Sequence, residues 1–386
     1  MTDKLRSDWD PQSEAVLRDQ RAAYDNMREQ CPVAYNETMQ WSLFRHRDLT
    51  RVLHDHDTFS SVVSRHLSIP NGMDPPEHTV YRHIIEPYFA PARMEAFGPS
   101  CREIITELIN NIPAHGRVEL MADIAQPFAV RVQCAFLGWP SGLHDPLVQW
   151  ARKNTEATRA GDRTAMADIA RELETLVVDM LETRRQAGAK PGDDITADLM
   201  HEEVWGRPLS HEEMTSILRN WTVGEIGTIS AAIGILVHYL AKHLEVQKRL
   251  REQPSLLPGA IDEILRIHGP LVANRRITTC PVEIGGRKIG AGERISLNWI
   301  SANRDGDVFD SPDSFRLDRD PTENLLYGAG IHVCPGAPLA RMELLAVMEA
   351  LFEHTEWIEP VAGKPAINAV YPASGFSSLP LRFRTA

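Results

Sequence analysis

The stretch of this 386-residue chain with the most chemistry in it is Tyr327-Gly328-Ala329-Gly330-Ile331-His332-Val333-Cys334-Pro335-Gly336-Ala337-Pro338-Leu339-Ala340-Arg341. Glycines on both sides of Cys334 let the backbone turn through positive φ and come close to a bulky flat group. Beyond the cysteine, Leu339, Met342, Leu345, Met348 and Leu351 recur three apart, which predicts a helix. Pro335 suits the first helical position, where a missing N–H is no loss. Cys334 then becomes the N-cap, where free N–H groups and the positive end of the helix dipole favour a thiolate. A thiolate held in this way is a metal ligand or a nucleophile. The competing reading is a buried core cysteine, and the glycines, His332 and Arg341 weigh against it.

This stretch resembles the signature of the cytochrome P-450 superfamily, the haem-thiolate monooxygenases. That signature is an aromatic residue, Gly-x-Gly-x-His-x-Cys-x-Gly and then Leu-Ala-Arg, met here by Tyr327, Gly328, Gly330, His332, Cys334, Gly336, Leu339, Ala340 and Arg341. The resemblance implies haem b with Cys334 as its axial iron ligand and Gly336 against the cofactor. It implies a mainly α fold with small β-sheets, the cytochrome P-450 fold. The sequence departs from the pattern at Tyr327, where phenylalanine is usual, and at Pro335, where a residue with an N–H is usual. Pro335 removes one possible hydrogen bond to the sulfur, which would leave the thiolate richer in electrons and lower the iron's potential.

Other segments resemble the family in the right order. Glu263-Ile264-Leu265-Arg266 matches its Glu-x-x-Arg; by itself an i,i+3 pair of this kind reads as a surface ion pair. Asp74-Pro75-Pro76-Glu77-His78-Thr79-Val80-Tyr81-Arg82 resembles the start of a helix from which His78 and Arg82 reach a haem propionate. In Asn274-Arg275-Arg276-Ile277 the register points Arg276 to a propionate, and His332 is a further candidate. Charge-assisted bonds to carboxylates are the strong ones, so these donor types suit that task. Ala302-Asn303-Arg304-Asp305 and Phe315-Arg316-Leu317-Asp318-Arg319 resemble the approach to the cysteine loop in bacterial members.

Segment 212–242 resembles the family's oxygen-activating helix, in which an acid followed by an alcohol delivers protons to dioxygen. Register puts Thr228 at the alcohol position and Gly227, which carries no proton, at the acid position. Glu225, at i−3 from Thr228, lies near the same face. Either Glu225 or ordered water replaces the missing acid, or Glu225 is structural and pairs with a nearby base. Gly224 and Gly227 make room over the haem. By the same register Val62–Pro70, Val223–Gly227, Leu271–Ala273 and Ser374–Phe376 line the distal pocket or, equally, ordinary core. The expected lining is Val223, Gly224, Gly227, Leu271, Val272 and Phe376, mostly apolar as ligand sites usually are. The short connection between Phe59 and Asp74 suggests a compact pocket.

These residues need a helical scaffold, and the chain has one. Segments 13–30, 46–55, 97–111, 122–138, 147–159, 163–187 and 212–251 carry apolar residues three and four apart. Strand signals are sparse: Val33–Phe44, and a pair formed by Val282–Ile284 and Arg294–Trp299. Residues 300–330 read as a long ordered loop, a length that favours function. With no composition break, residues 1–386 read as a single domain. Apolar residues at 43% and charged residues at 24% exclude disorder and a membrane bundle. A net charge of −12 argues against nucleic acid as a partner. Five scattered cysteines imply no disulfide framework. Met1-Thr2-Asp3-Lys4 opens no apolar leader, and the 16-residue run Ile226–Ala241 is short for a membrane span of about 20 residues. The expectation is a cytoplasmic protein with no membrane span.

Other chemistries lack their motifs. No Gly-x-Gly-x-x-Gly follows a strand, His201-Glu202-Glu203 and His211-Glu212-Glu213 lack the second histidine of a zinc helix, and there is neither Cys-x-x-Cys nor Gly-x-Ser-x-Gly. The resemblance therefore implies a monooxygenase that uses dioxygen to hydroxylate or oxidatively dealkylate a small, mostly apolar organic substrate. Its electrons come from outside, through a ferredoxin and ferredoxin reductase docking on the cysteine side, with Arg93, Arg102 and Arg341 as contributors. Two rivals remain: a peroxide-driven haem-thiolate peroxygenase and a non-catalytic haem sensor.

Overall fold

The computed structural model describes residues 6–112 and 116–384. The Met1–Lys4 leader reading lies outside them. The longer helices in chain order are α1 (Gln20–Gln30), α2 (His46–His54), α3 (Glu77–Ile85), α4 (Pro91–Asn110), α5 (Gln126–Leu137), α6 (His144–Ala160), α7 (Arg163–Ala187), α8 (His211–Lys242), α9 (Leu244–Glu252), α10 (Leu257–His268) and α11 (Ala337–His354). The periodic segments thus form helices, with breaks that local chemistry explains. Segment 13–30 is interrupted at Asp19, whose carboxylate accepts from the Ala22 N–H at 3.1 Å and starts α1 afresh. Segment 212–251 breaks at His243, which leaves the helical region and caps α9.

Helix α8 runs through the middle of the fold. Ser210 and Glu213 form a capping box at its start, and from Ile229 to Val237 every residue is buried. Among the described residues it is the one helix long and apolar enough to cross a membrane, but 61% of that apolar window is buried inside the fold. A helix apolar on all sides fits such a core position. The core around it draws on α4, α5, α10 and α11: Ile105, Phe128, Ile233, Leu236, Ile264, Val347 and Leu351 belong to one buried cluster.

The strands form small sheets, of which one packs into the central cluster and the five-stranded one into a separate cluster. Strands β1 (Val33–Asn36), β2 (Gln40–Leu43), β3 (Phe59–Ser60), β5 (Ala273–Thr278) and β8 (Arg294–Asn298) form a sheet in the order β1-β2-β8-β5-β3. Only β8 and β2 pair in parallel. Strand β4 (Arg117–Glu119) joins β9 (Trp357–Pro360) and β12 (Pro380–Arg384), and β10 (Ile367–Asn368) pairs with β11 (Phe376–Ser378). The expected pairing of 282–284 with 294–299 is corrected here. β6 (Val282–Ile284) folds back on β7 (Arg287–Ile289), because Gly285 and Gly286 both take positive φ (55° and 76°) and close a two-residue turn. Strand β8 pairs instead with β5 and β2.

Residues 300–330 form the long connection expected, with only short helical turns. Buried side chains hold it. The Arg266 guanidinium grips Glu263 through two bonds of 2.8 and 2.9 Å, with Arg266 fully buried, and donates to the carbonyls of Asn303 and Pro312. Glu263 also receives Arg319 Nε and the Arg316 N–H. The Glu-x-x-Arg pair is therefore a buried clamp rather than a surface pair.

Candidate active site

The loop that carries Cys334 is fixed from both sides. The Cys334 N–H donates to the Tyr327 carbonyl at 2.8 Å. Gly330 has φ +68°, and a Cβ there would collide with the Leu53 carbonyl at the end of α2, so only glycine fits. Helix α11 starts at Ala337 with Gly336 as its N-cap and Pro338 in its first turn. Cys334 is therefore not the N-cap, and Pro335 is not the first helical residue. Residues 334–337 instead form a turn, with the Ala337 N–H donating to the Cys334 carbonyl at 3.4 Å ahead of the helix. The electrostatic outcome partly survives. Burial is the largest influence on the thiol and pushes its pKa up, whereas the N–H groups of Gly336 and Ala337, together with Arg82, pull it down. The net shift is upward, so holding this sulfur as thiolate calls for a metal, whose binding displaces the proton.

Cys334 shows accessible surface although it sits deep enough for burial to dominate its titration. Accessible surface on a cysteine whose titration is dominated by burial points to a recessed cleft rather than to the outer surface. Val62, Val223, Leu271 and Val333 are also unusually accessible for apolar residues. On α8, a Cβ built on Gly224 or Gly227 meets nothing within 4 Å. Thr228 lies one turn on, its hydroxyl donating to the Gly224 carbonyl at 2.6 Å. Gly336 lies near the sulfur on the other side.

A second group of residues gathers beside the loop. His78 and His332 stack with ring centroids 4.2 Å apart, and His78 Nε2 is buried with no partner. Arg82 is buried and donates to the Val333 carbonyl at 2.9 Å and to Glu86. Arg276 is buried, bonds only the Arg275 carbonyl, and has no carboxylate within ion-pair reach among the described residues; Asp74 is its nearest charge influence. Burial, reinforced by the neighbouring arginines, pushes His78 down to about 4 and His332 down to about 3. His332 Nε2 lies 2.8 Å from the Ser61 hydroxyl, so one of its ring nitrogens is already engaged. Arg82, which keeps Glu86 as its ion-pair partner, Arg276, which has no carboxylate partner among the described residues, and the unpartnered His78 nitrogen together form a rim of hydrogen-bond donors. A planar cofactor with two carboxylates on one edge and a thiolate-seeking iron fits these residues.

Three expectations are placed differently. Val272 is only 2% exposed and packs with Trp9, Tyr24 and Phe44 on the far side of its extended segment, so it does not line the cleft while its neighbour Leu271 remains accessible. Phe376 packs on His238 at 4.4 Å and borders a cavity of about 200 Å³ with Ile235, His268 and Gln20, well along α8 from Thr228. Arg93, Arg102 and Arg341 are all ion-paired within the chain, to Asp198, Glu349 with Glu353, and Asp262, so they offer little free positive charge to a partner.

Of the two readings of Glu225, pairing with a base is not seen among the described residues. The Glu225 carboxyl is buried against that of Glu343 on α11, a residue that is fully buried itself. Sequence reasoning missed Glu343. The signal was there, since an acid four residues after Leu339 and beside Leu344 falls on the apolar stripe of the helix.

The sequence model of the family described as Cytochrome P450 matches residues 143–383. Cyclomarin C epoxidase CymV of Salinispora arenicola is 33% identical over 379 residues, covering 93% of this chain and 94% of its own. Erythromycin C-12 hydroxylase of Saccharopolyspora erythraea is 31% identical over 349 residues, 87% of either chain. Among solved structures, a mutant of P450 EryK in complex with erythromycin B superposes with a TM-score of 0.87 at 27% identity, covering 95% of this chain and 96% of its own. CYP109E1 from Bacillus megaterium in complex with testosterone gives 0.83 at 27%, covering 94% and 98%. The chain belongs to the cytochrome P450 family and is a haem-dependent monooxygenase.

Proposed function

We propose that Cys334 holds the iron of a haem b whose two carboxylates are received by His78, Arg82 and Arg276, with His332 packed beside them. One observation carries this reading: buried Arg82 and His78 pack directly on the loop that carries the sulfur, Arg82 donating to the Val333 carbonyl and His78 stacking on His332, with buried Arg276 lacking any carboxylate partner among the described residues. Haem supplies the iron at which dioxygen is activated. The chain's own residues do the rest. Gly224 and Gly227 leave the distal side open, Thr228 presents a hydroxyl there, and Val223 and Leu271 exclude water with apolar surface. The substrate is a small, mostly apolar organic molecule that is hydroxylated or oxidatively dealkylated. Electrons come from a ferredoxin and its reductase, and the protein works as a single domain in the cytoplasm.

The test is the reduced protein under carbon monoxide. Wild type gives the strongly red-shifted Soret band of a sulfur-ligated complex, and Cys334→Ser loses it. A band that persists in Cys334→Ser overturns the assignment. Substrate-induced spin-state change across aromatics, terpenes and fatty acids, with erythromycin B and testosterone added because they occupy similar proteins, then ranks ligands. The glycine at position 227 favours one comparison in turnover, peroxide alone against NAD(P)H with ferredoxin partners.

A further inference from the structure

The buried carboxyls of Glu225 and Glu343 belong to no ion pair among the described residues. Glu225 Oε1 and both oxygens of Glu343 are buried and meet no donor from a third residue. They meet each other where α8, on the open side of the cleft, crosses α11, on the cysteine side. The other titratable groups facing them are Cys101 from α4, whose thiol burial pushes far up, the buried Tyr327 phenol, and Cys334. None of these is a base. Two carboxylates side by side in a water-poor interior cannot both stay ionised, so the pair must hold a proton and titrate as a unit.

We propose that Glu225 and Glu343 form a shared-proton carboxyl pair that stores one proton at the α8–α11 junction and couples proton uptake to the charge state of the site at Cys334. This rests on the haem-thiolate reading above and adds a function that it does not contain. Burial pushes Glu225 up to about 7, and burial together with Glu225 raises Glu343 well above the ordinary carboxylate range. The pair therefore changes charge across neutrality. The charge of Glu225 reaches Cys334, where it opposes further negative charge. A carboxylate there favours the ferric over the ferrous state. Its protonation relieves that bias. With haem bound, one electron from an external one-electron donor would reduce the iron, and one proton from solvent would add to the singly protonated pair, forming an O–H bond and taking the pair from one negative charge to none. No other bond changes. Glu225 and Glu343 are positioning residues in this scheme, since they act through the charge at Cys334.

The experiment is spectroelectrochemistry on the holoenzyme, with redox-difference infrared spectra recorded alongside. In wild type the ferric/ferrous potential falls as pH rises across neutrality, and reduction adds a protonated-carboxyl C=O band. In Glu225→Gln the potential is higher, its pH slope is flattened, and the band is lost; Glu343→Gln flattens the slope as well. A wild-type slope retained in both variants overturns the proposal, and so does a C=O band that survives both. The carbon monoxide band separates the outcomes: its presence with an unchanged slope refutes the pair alone, and its absence in wild type refutes the haem-thiolate reading.

Discussion

At the scale of single residues, the sulfur's surroundings decide how the iron would behave. Two N–H groups, from Gly336 and Ala337, bond Cys334, and the residue between the cysteine and these donors is a proline with none to give. Each donor withdraws electron density from a thiolate and raises the potential of the metal it holds. Pro335→Leu restores an N–H at that point and is expected to raise the ferric/ferrous potential, read by redox titration of the holoenzyme; a lower potential would refute the argument. Thr228 was legible as a candidate through the family register set by Tyr239-Leu240-Ala241-Lys242 and Glu263. The direction of Glu225 was not, because a helical position names a face but not the residue of another helix that will meet it.

Elements are held in place by polar clamps as much as by apolar packing. The Glu263–Arg266 pair joins α10 to the 300–330 connection, which leads directly into the cysteine loop. Removing one member of a buried pair leaves the other charge stranded, at a cost of about 3–5 kcal/mol. Arg266→Ala is therefore expected to lower stability by about that amount in urea unfolding and to reduce haem retention. A loss below about 1 kcal/mol would show that Arg319, which also bonds Glu263, carries the clamp alone. The sequence contained the i,i+3 spacing, but the spacing is identical on a solvated face; burial turned a weak pair into a clamp. The β6–β7 hairpin teaches the same lesson in reverse. Gly285-Gly286 announced a turn, and a two-residue turn pairs its immediate flanks, which excludes the more distant partner expected for 282–284.

For the molecule as a whole, acid is the sensitive direction. His238 and His268 lie away from the cysteine loop, and burial depresses them to about 4 and about 3. Arg21 Nη1 lies 2.9 Å from His268 Nδ1, an arrangement that requires the neutral ring. In the unfolded chain both histidines take up protons near about pH 6.5. The unfolded state thus binds more protons than the folded one between about pH 6.5 and about pH 4, and stability falls as pH drops through that window. Calorimetric melting should show Tm declining below about pH 6.5, with His268→Gln shallower than wild type. An unchanged slope in His268→Gln would remove His268 from the account.

The chain's local chemistry was enough to locate most helices and the glycine-lined cysteine loop, because these are written in spacing a few residues long, while the resemblance of its short motifs to the family nominated the candidate propionate donors and the glycine at position 227. Tertiary structure alone decided the start of the cysteine helix at Ala337, the burial of Val272, the internal pairing of Arg93, Arg102 and Arg341, and the meeting of Glu225 with Glu343. Those outcomes depend on contacts between segments far apart in sequence. A short-range pattern carries which residue types are present and on which face, whereas desolvation and partner choice are properties of the packed interior.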